Sequence, residues 1–154
     1  MMFMSKSRIK SSKKNFNPQI LAFCCNWCSY AGADLAGVSR FQYPPNIRII
    51  RVMCSGRVDP SFILKAINDG VDGVLITGCH IGDCHYISGN EHTKERFENL
   101  FEIIIKQIGL NSDRIRLEWV SASEGRRFAD LITEFTKRIK KLGPLKKQNN
   151  SNIE

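Results

Sequence analysis

The segment GVLIT, residues 73–77, indicates the fold class of this 154-residue chain most directly. It is a short apolar run, of the length of a strand, and it has no polar side that could face water. Strands with two apolar faces are typical of parallel sheets that are covered by helices on both sides. The segment therefore predicts a buried strand in an α/β domain.

Working outward, three more strands alternate with four helices. The strands are predicted at 19–23 (QILAF), 47–53 (IRIIRVM) and 115–120. The helices are predicted over 30–40, from Asp59-Pro60 to 69, from about 91 to 108, and from a capping box at Ser121 and Glu124 to 142. Alternation of this kind implies parallel pairing with right-handed crossovers. We therefore predict a single doubly wound α/β domain with a mostly parallel four-stranded sheet, flavodoxin-like or Rossmann-like.

The net charge of +8 is concentrated at the two ends of the chain. Residues 1–17 carry five basic side chains and no acidic one, and Lys146 and Lys147 follow the last helix. We therefore predict basic disordered tails at 1–18 and 145–154 around a nearly neutral folded domain at 19–144. This distribution argues against nucleic acid binding. No apolar run has the length of a bilayer span or a signal peptide, which predicts a cytoplasmic protein without a membrane partner.

Six cysteines are unusual for a cytoplasmic domain of this size, because such a domain needs no disulfide bonds. They follow three predicted strands: Cys24, Cys25 and Cys28 after the first, Cys54 after the second, and Cys79 and Cys84 after the third. The carboxyl ends of parallel strands lie at one edge of a sheet, where α/β proteins bind ligands. The sequence therefore predicts that thiols from three distant segments meet at that edge.

Four thiolates hold either an iron–sulfur cluster or a structural zinc ion, and the spacing of the cysteines does not decide between them. The spare thiols favour redox chemistry over zinc. An anionic cluster would be stabilised by a nearby positive charge, for which Arg57 is the candidate. Glycines let the backbone approach closely and donate N–H bonds to sulfur, and the candidates for this role are Gly56, Gly78, Gly82 and Gly89. A thioredoxin-like thiol–disulfide oxidoreductase that uses Cys25 and Cys28 is the main alternative.

Aromatic residues and histidines accompany the cysteines. His80 and His85 are expected to form hydrogen bonds or to face a partner rather than to bind metal, since thiols are plentiful. Trp27 and Tyr86 are candidates for packing or for a docking surface.

Three long segments closely resemble the delta subunit of methyl-viologen-reducing hydrogenase: FCCNWCSYAGADLAG (23–37), RVMCSGRVDPSFILKAINDGVDGV (51–74) and TGCHIGDCHYISGN (77–90). The resemblance covers about 20–143. It implies an electron-transfer subunit with a 2Fe-2S cluster, which is not catalytic alone. It also implies that this subunit links a hydrogenase small subunit or a formate dehydrogenase to the flavin-containing subunit of heterodisulfide reductase. The setting implied is electron bifurcation in anaerobes, including methanogenesis.

The resemblance also selects the cysteines. The family's cysteines correspond to Cys25, Cys28, Cys54, Cys79 and Cys84, and the resemblance does not say which four bind the cluster. Cys24 takes a position that is often apolar in the family, so we expect it to be a small buried core residue.

Overall fold

A computed structural model describes residues 15–145, so most of the two predicted tails lies outside the described residues. The strands are β1 (Ile20–Cys25), β2 (Ile47–Val52), β3 (Gly73–Gly78) and β4 (Ile115–Trp119). The helices are α1 (Ser29–Val38), α2 (Pro60–Asn68), α3 (Gly89–Ile103) and α4 (Gly125–Leu142). Within these residues, none of the helices has the combination of length and apolar character that a bilayer span requires.

The four strands form one parallel sheet in the order β2-β1-β3-β4. The chain moves from β1 to one edge of the sheet, crosses back to β3, and then continues to the other edge. The strand order therefore reverses between β1 and β3, and this reversal creates the crevice at which α/β sheets bind ligands. The predicted doubly wound α/β fold is confirmed.

Helices cover both faces of the sheet, because β1 and β3 present apolar side chains on each side. Helices α1 and α4 pack on the face that contains Ala22 and Leu75. Helices α2 and α3 pack on the face that contains Phe23 and Ile76. The two central strands are therefore enclosed, and only the loops at their ends reach the surface.

The end of α3 differs from the predicted regular helix. Residues Ile104–Ile108 form a π-helical turn that ends at Gly109 with a left-handed φ of 67°. The wider turn rotates the following side chains relative to the helix face. As a result, Ile104 is buried, whereas Ile108, which was expected on the same apolar face, is exposed.

The start of α4 also differs from prediction, because Ser121 is not its N-cap residue. The helix begins at Gly125, and residues 121–124 form a turn that precedes it. Glu124 accepts a hydrogen bond from the backbone N–H of Ser121 at 2.8 Å, so only one of the two hydrogen bonds of a capping box is present.

Asp72, immediately before β3, ties together the two ends of the described chain. One carboxylate oxygen accepts the backbone N–H of Gln19 at 2.9 Å, and the other accepts that of Leu145 at 3.1 Å. The guanidinium of Arg114 donates to the backbone oxygens of Asp72 and Gly143. Both ends therefore lie at the amino edge of the sheet, opposite the cysteine-bearing loops.

Candidate metal centre

Three thiols lie together at the crevice between β1 and β3. The sulfur atoms of Cys25, Cys28 and Cys79 are all within 4.8 Å of one another, and the Cys25 and Cys79 sulfurs are 3.9 Å apart. All three side chains are buried. Cys25 is the last residue of β1, and Cys79 directly follows β3. The strand reversal thus brings these two segments side by side.

Hydrogen bonds fix the backbone around this group. The N–H of Cys25 donates to the hydroxyl of Ser29 at 2.8 Å, and that hydroxyl donates to the carbonyl of Thr77 at 3.1 Å. The hydroxyl of Thr77 donates in turn to the carbonyl of Phe23, also at 3.1 Å. This chain of contacts joins the end of β1, the start of α1 and the end of β3, so the positions of Cys25 and Cys79 depend on each other.

Two more thiols, those of Cys54 and Cys84, meet at the first residue of α3. A Cβ added at Gly89 would overlap the sulfur of Cys54 and would lie 3.2 Å from the sulfur of Cys84. The backbone N–H of Gly56 donates to the Cys54 sulfur at 3.4 Å. The amino end of α3 carries partial positive charge, which favours thiolates beside it.

The two groups of thiols are neighbours. The Cys25 sulfur lies 3.7 Å from the carbonyl of Met53, the residue before Cys54. Burial raises the pKa of the Cys54 thiol, and the thiols of Cys84 and Cys25 beside it contribute to the same direction. The structure therefore brings together all three cysteine-bearing segments, as the sequence predicted.

The thiols differ in how readily they ionise. A hydrogen bond from the Cys28 thiol lowers the pKa of Cys25 to about 6, whereas the same bond raises the pKa of Cys28. Burial raises the pKa of Cys79. Since cysteine binds metals as the thiolate, a metal at this site would displace the protons from the remaining thiols.

Asn90 holds the loop after β3 in place. This role was not predicted from the sequence. Its side-chain amide donates to the carbonyls of both Cys79 and His80, at 2.9 and 2.8 Å, and the residue is almost fully buried. The only signal in the sequence was a polar residue at the start of the helix that follows the cysteines.

The other predicted site residues occupy different environments. Arg57 is exposed in a short 3₁₀ turn after Cys54. Gly82 is exposed in a turn and has a φ of 93°, which favours glycine. Gly78 is buried, and a Cβ there would lie 2.7 Å from the Ser55 hydroxyl oxygen, so close packing explains the glycine.

Cys24 is separate from the other cysteines. It is fully buried in the core between the sheet and helices α1 and α4, and this burial raises its pKa to about 11. The expectation that Cys24 is a core residue is confirmed.

The aromatic residues next to the cysteines in the chain contact one another at the surface. The rings of Trp27 and His85 are stacked, with centroids 3.8 Å apart and planes inclined by 11°. The indole N–H of Trp27 donates to the Tyr86 hydroxyl at 3.2 Å. His80, by contrast, forms a hydrogen bond of 2.6 Å with the carboxylate of Glu124. His80 thus forms a hydrogen bond, as expected, whereas His85 stacks on Trp27.

Residues 20–143 match the family described as methyl-viologen-reducing hydrogenase, delta subunit. The chain belongs to this family. A relative from Methanococcus voltae, the vhc iron-sulfur subunit of F420-non-reducing hydrogenase, is 51% identical over 92% of this chain and 98% of its own length. The iron-sulfur subunit of F420-non-reducing hydrogenase from Archaeoglobus profundus is 48% identical over 86% of this chain and 96% of its own length.

Other relatives of this delta-subunit chain are much longer. One of them, from Methanosarcina mazei, is a subunit of ferredoxin:CoB-CoM heterodisulfide reductase. It is 51% identical over 92% of this chain, but the match covers only 18% of the reductase polypeptide. The delta-subunit domain is therefore one part of a longer polypeptide in that protein.

The residues of the site fit an iron–sulfur group. Such a group requires four cysteine thiolates, and the crevice offers three buried thiols in mutual proximity with two more beside them. The space at Gly89, which a Cβ would fill, is available to the sulfurs instead.

Proposed function

We propose that this chain is an electron-transfer subunit that holds a 2Fe-2S cluster. Four of the five thiols of Cys25, Cys28, Cys54, Cys79 and Cys84 would bind it. The observation that carries the proposal is the meeting of thiols from three separate segments at one crevice of the sheet. When bound, the cluster supplies one-electron oxidation and reduction.

The protein's own contribution is to hold and shield the thiolates. Ser29 and Asn90 fix the backbone of the segments that carry Cys25 and Cys79. Arg57 would place a positive charge near the anionic centre. The backbone N–H groups of Gly78 and Gly82 would lie near the sulfurs and stabilise them.

The proposed donor is a hydrogenase small subunit or formate dehydrogenase, and the proposed acceptor is the flavin-containing subunit of a heterodisulfide reductase. The fusion in the Methanosarcina mazei protein supports the acceptor, because there the same domain forms part of a heterodisulfide reductase polypeptide. The names of the hydrogenase relatives support the donor. We propose that this relay operates in a cytoplasmic electron-bifurcating complex, the setting that the resemblance to the delta-subunit family implies.

The experiment that tests the function is anaerobic purification followed by metal analysis and spectroscopy. We expect about two irons and two sulfides per chain, visible charge-transfer absorption, and a paramagnetic signal on one-electron reduction. A colourless protein with one zinc ion would contradict the proposal. A colourless protein with a reversible disulfide between Cys25 and Cys28 would favour the thioredoxin-like alternative, which leaves Cys79 beside them without a role.

Exposed apolar side chains around the thiols support a docking surface. We define it by residues of the cysteine-bearing segments that are between 45 and 86% exposed: Trp27, Met53, Ile81, Tyr86 and Ile87. Ile87 is the most exposed of them and has a left-handed φ of 73°. This conformation is unfavourable for a β-branched residue, so folding alone does not explain an isoleucine there.

Replacing Ile87 with asparagine is therefore expected to affect stability and docking in opposite directions. Asparagine tolerates the left-handed conformation, so the free energy of unfolding should rise by about 1 kcal/mol. Loss of the apolar contact should weaken binding of the flavin-containing acceptor protein about tenfold. Urea denaturation and titration with the acceptor measure the two effects.

Val38→Asn is the matched control, because Val38 is 76% exposed at the far end of α1. It should leave acceptor binding unchanged. Equal binding by the Ile87→Asn variant and the wild type would exclude Ile87 from the docking surface.

A further inference from the structure

We propose that Trp27 and His85 form an aromatic clasp that positions Cys84 in the metal centre. This inference rests on the proposed function for its effect on cluster assembly. It gives a positioning role to two exposed residues, Trp27 and His85. Neither residue is required as a ligand in this role.

Cys84 is the least constrained of the five thiols at the site. It is the only one that is partly exposed, and it lies in the loop between β3 and α3 rather than at the end of a strand. Its carbonyl accepts the N–H of Ile87 in a tight turn, which shapes the loop locally but does not connect it to the rest of the site. Asn90 fixes the start of the loop at Cys79 and His80, and the Cys54 thiol lies beside that of Cys84. A contact from the segment that carries Cys25 and Cys28 would fix the loop next to Cys84 itself.

The stack of Trp27 on His85 supplies that contact. Trp27 lies between Cys25 and Cys28, whose buried side chains anchor it at the end of β1. His85 directly follows Cys84. The parallel rings therefore connect the segment that carries the first group of thiols to the residue next to Cys84. The hydrogen bond from Trp27 to Tyr86 reinforces the same connection.

Gly89 leaves space for the Cys84 sulfur at the start of α3, and the clasp holds the neighbouring residue. The Cys84 sulfur lies 3.2 Å from the position of a Gly89 Cβ, so it sits close to the first turn of α3. Trp27 remains 45% exposed and is not part of the hydrophobic core. Its stacking on His85 is thus explained better by loop placement than by folding.

The test compares His85→Ala with His85→Phe, because phenylalanine keeps a flat ring and removes the imidazole nitrogens. The first measurement uses metal-free protein under reducing conditions and follows alkylation of Cys84 by iodoacetamide with mass spectrometry. We expect His85→Ala to accelerate alkylation roughly two- to tenfold, as expected for loss of one aromatic pair. His85→Phe should react at the wild-type rate. Trp27→Ala should accelerate alkylation in the same way. Trp27→Phe keeps a stacked ring but loses the hydrogen bond to Tyr86, so it should react at a rate between those of Trp27→Ala and the wild type.

The second measurement is iron bound per chain after anaerobic reconstitution at limiting iron. We expect reduced iron in the two alanine variants, wild-type iron in His85→Phe, and an intermediate iron content in Trp27→Phe. Unchanged Cys84 alkylation in His85→Ala would overturn the clasp. Iron loss in His85→Phe as large as in His85→Ala would also overturn it, because the imidazole would then be a ligand.

The two measurements separate this inference from the proposed function. If the wild-type protein binds no iron, the proposed function fails, whereas the alkylation rates still support or overturn the clasp. Since both rings are at the surface, far-UV circular dichroism should show the same helix content in all four variants.

Discussion

Replacing Gly89 with alanine is expected to abolish most iron binding while the fold remains intact. The added methyl group would overlap the Cys54 sulfur and press on that of Cys84, so at least one of these thiols must leave the site. The backbone itself accepts alanine, because Gly89 begins a regular helix and has no left-handed φ. Iron per chain should fall by about tenfold, and circular dichroism should remain unchanged.

Gly37→Ala is the matched control for this substitution. Gly37 also lies in a helix, α1, but a Cβ there would meet no atom within 4 Å. This variant should bind iron like the wild type and gain about 0.5–1 kcal/mol of stability, because alanine is the better helix former. Full iron content in the Gly89→Ala protein would mean that Cys54 and Cys84 do not both hold the cluster.

Replacing Cys79 with serine is expected to have a comparably large effect. The Cys79 sulfur lies 3.9 Å from that of Cys25 and within 4.8 Å of that of Cys28, so its loss removes the contribution of β3 to the buried group of thiols. A serine hydroxyl ionises far less readily than a thiol and is a poor substitute for a thiolate ligand. Most of the iron and the visible absorption should be lost, with helix content retained.

Cys24→Ala provides the comparison, since Cys24 is also buried but faces the core. The alanine leaves a small cavity in the core, so the free energy of unfolding should fall by about 1 kcal/mol. The variant should keep all of its iron. Retention of full iron by the Cys79→Ser protein would remove Cys79 from the ligands. Iron loss by Cys24→Ala without unfolding would contradict the separation of Cys24 from the site.

The sequence was sufficient for the architecture and for the approach of the three cysteine-bearing segments to one another. Alternating apolar segments predicted the parallel sheet, and parallel strands necessarily place their carboxyl ends at one edge. Cysteines that follow three such strands were therefore expected to converge, and Cys25, Cys54 and Cys79 lie in neighbouring positions.

The details that the sequence did not predict depend on contacts between elements distant along the chain. A close approach at Gly89 was expected, but its partners, Cys54 and Cys84, are known only because the loop after β2 packs on the start of α3. Asn90 has its role because its amide reaches two carbonyls of the preceding loop. The π turn at Ile104–Ile108 is a different case, because it is a local change of helix winding that interrupts the apolar periodicity. Neither the contacts nor this turn leaves a periodic pattern in the sequence.

The pairing of both chain ends by Asp72 has a consequence for how this domain is combined with other proteins. Gln19 and Leu145 are held at the amino edge of the sheet, opposite the edge that carries the cysteines. A polypeptide can therefore be extended from Gln19 or from Leu145 without crossing the edge of the sheet that carries the cysteines. The relatives include both a separate subunit and a longer polypeptide that contains this domain. Either form can arise from the other without a change in the surface through which electrons would pass.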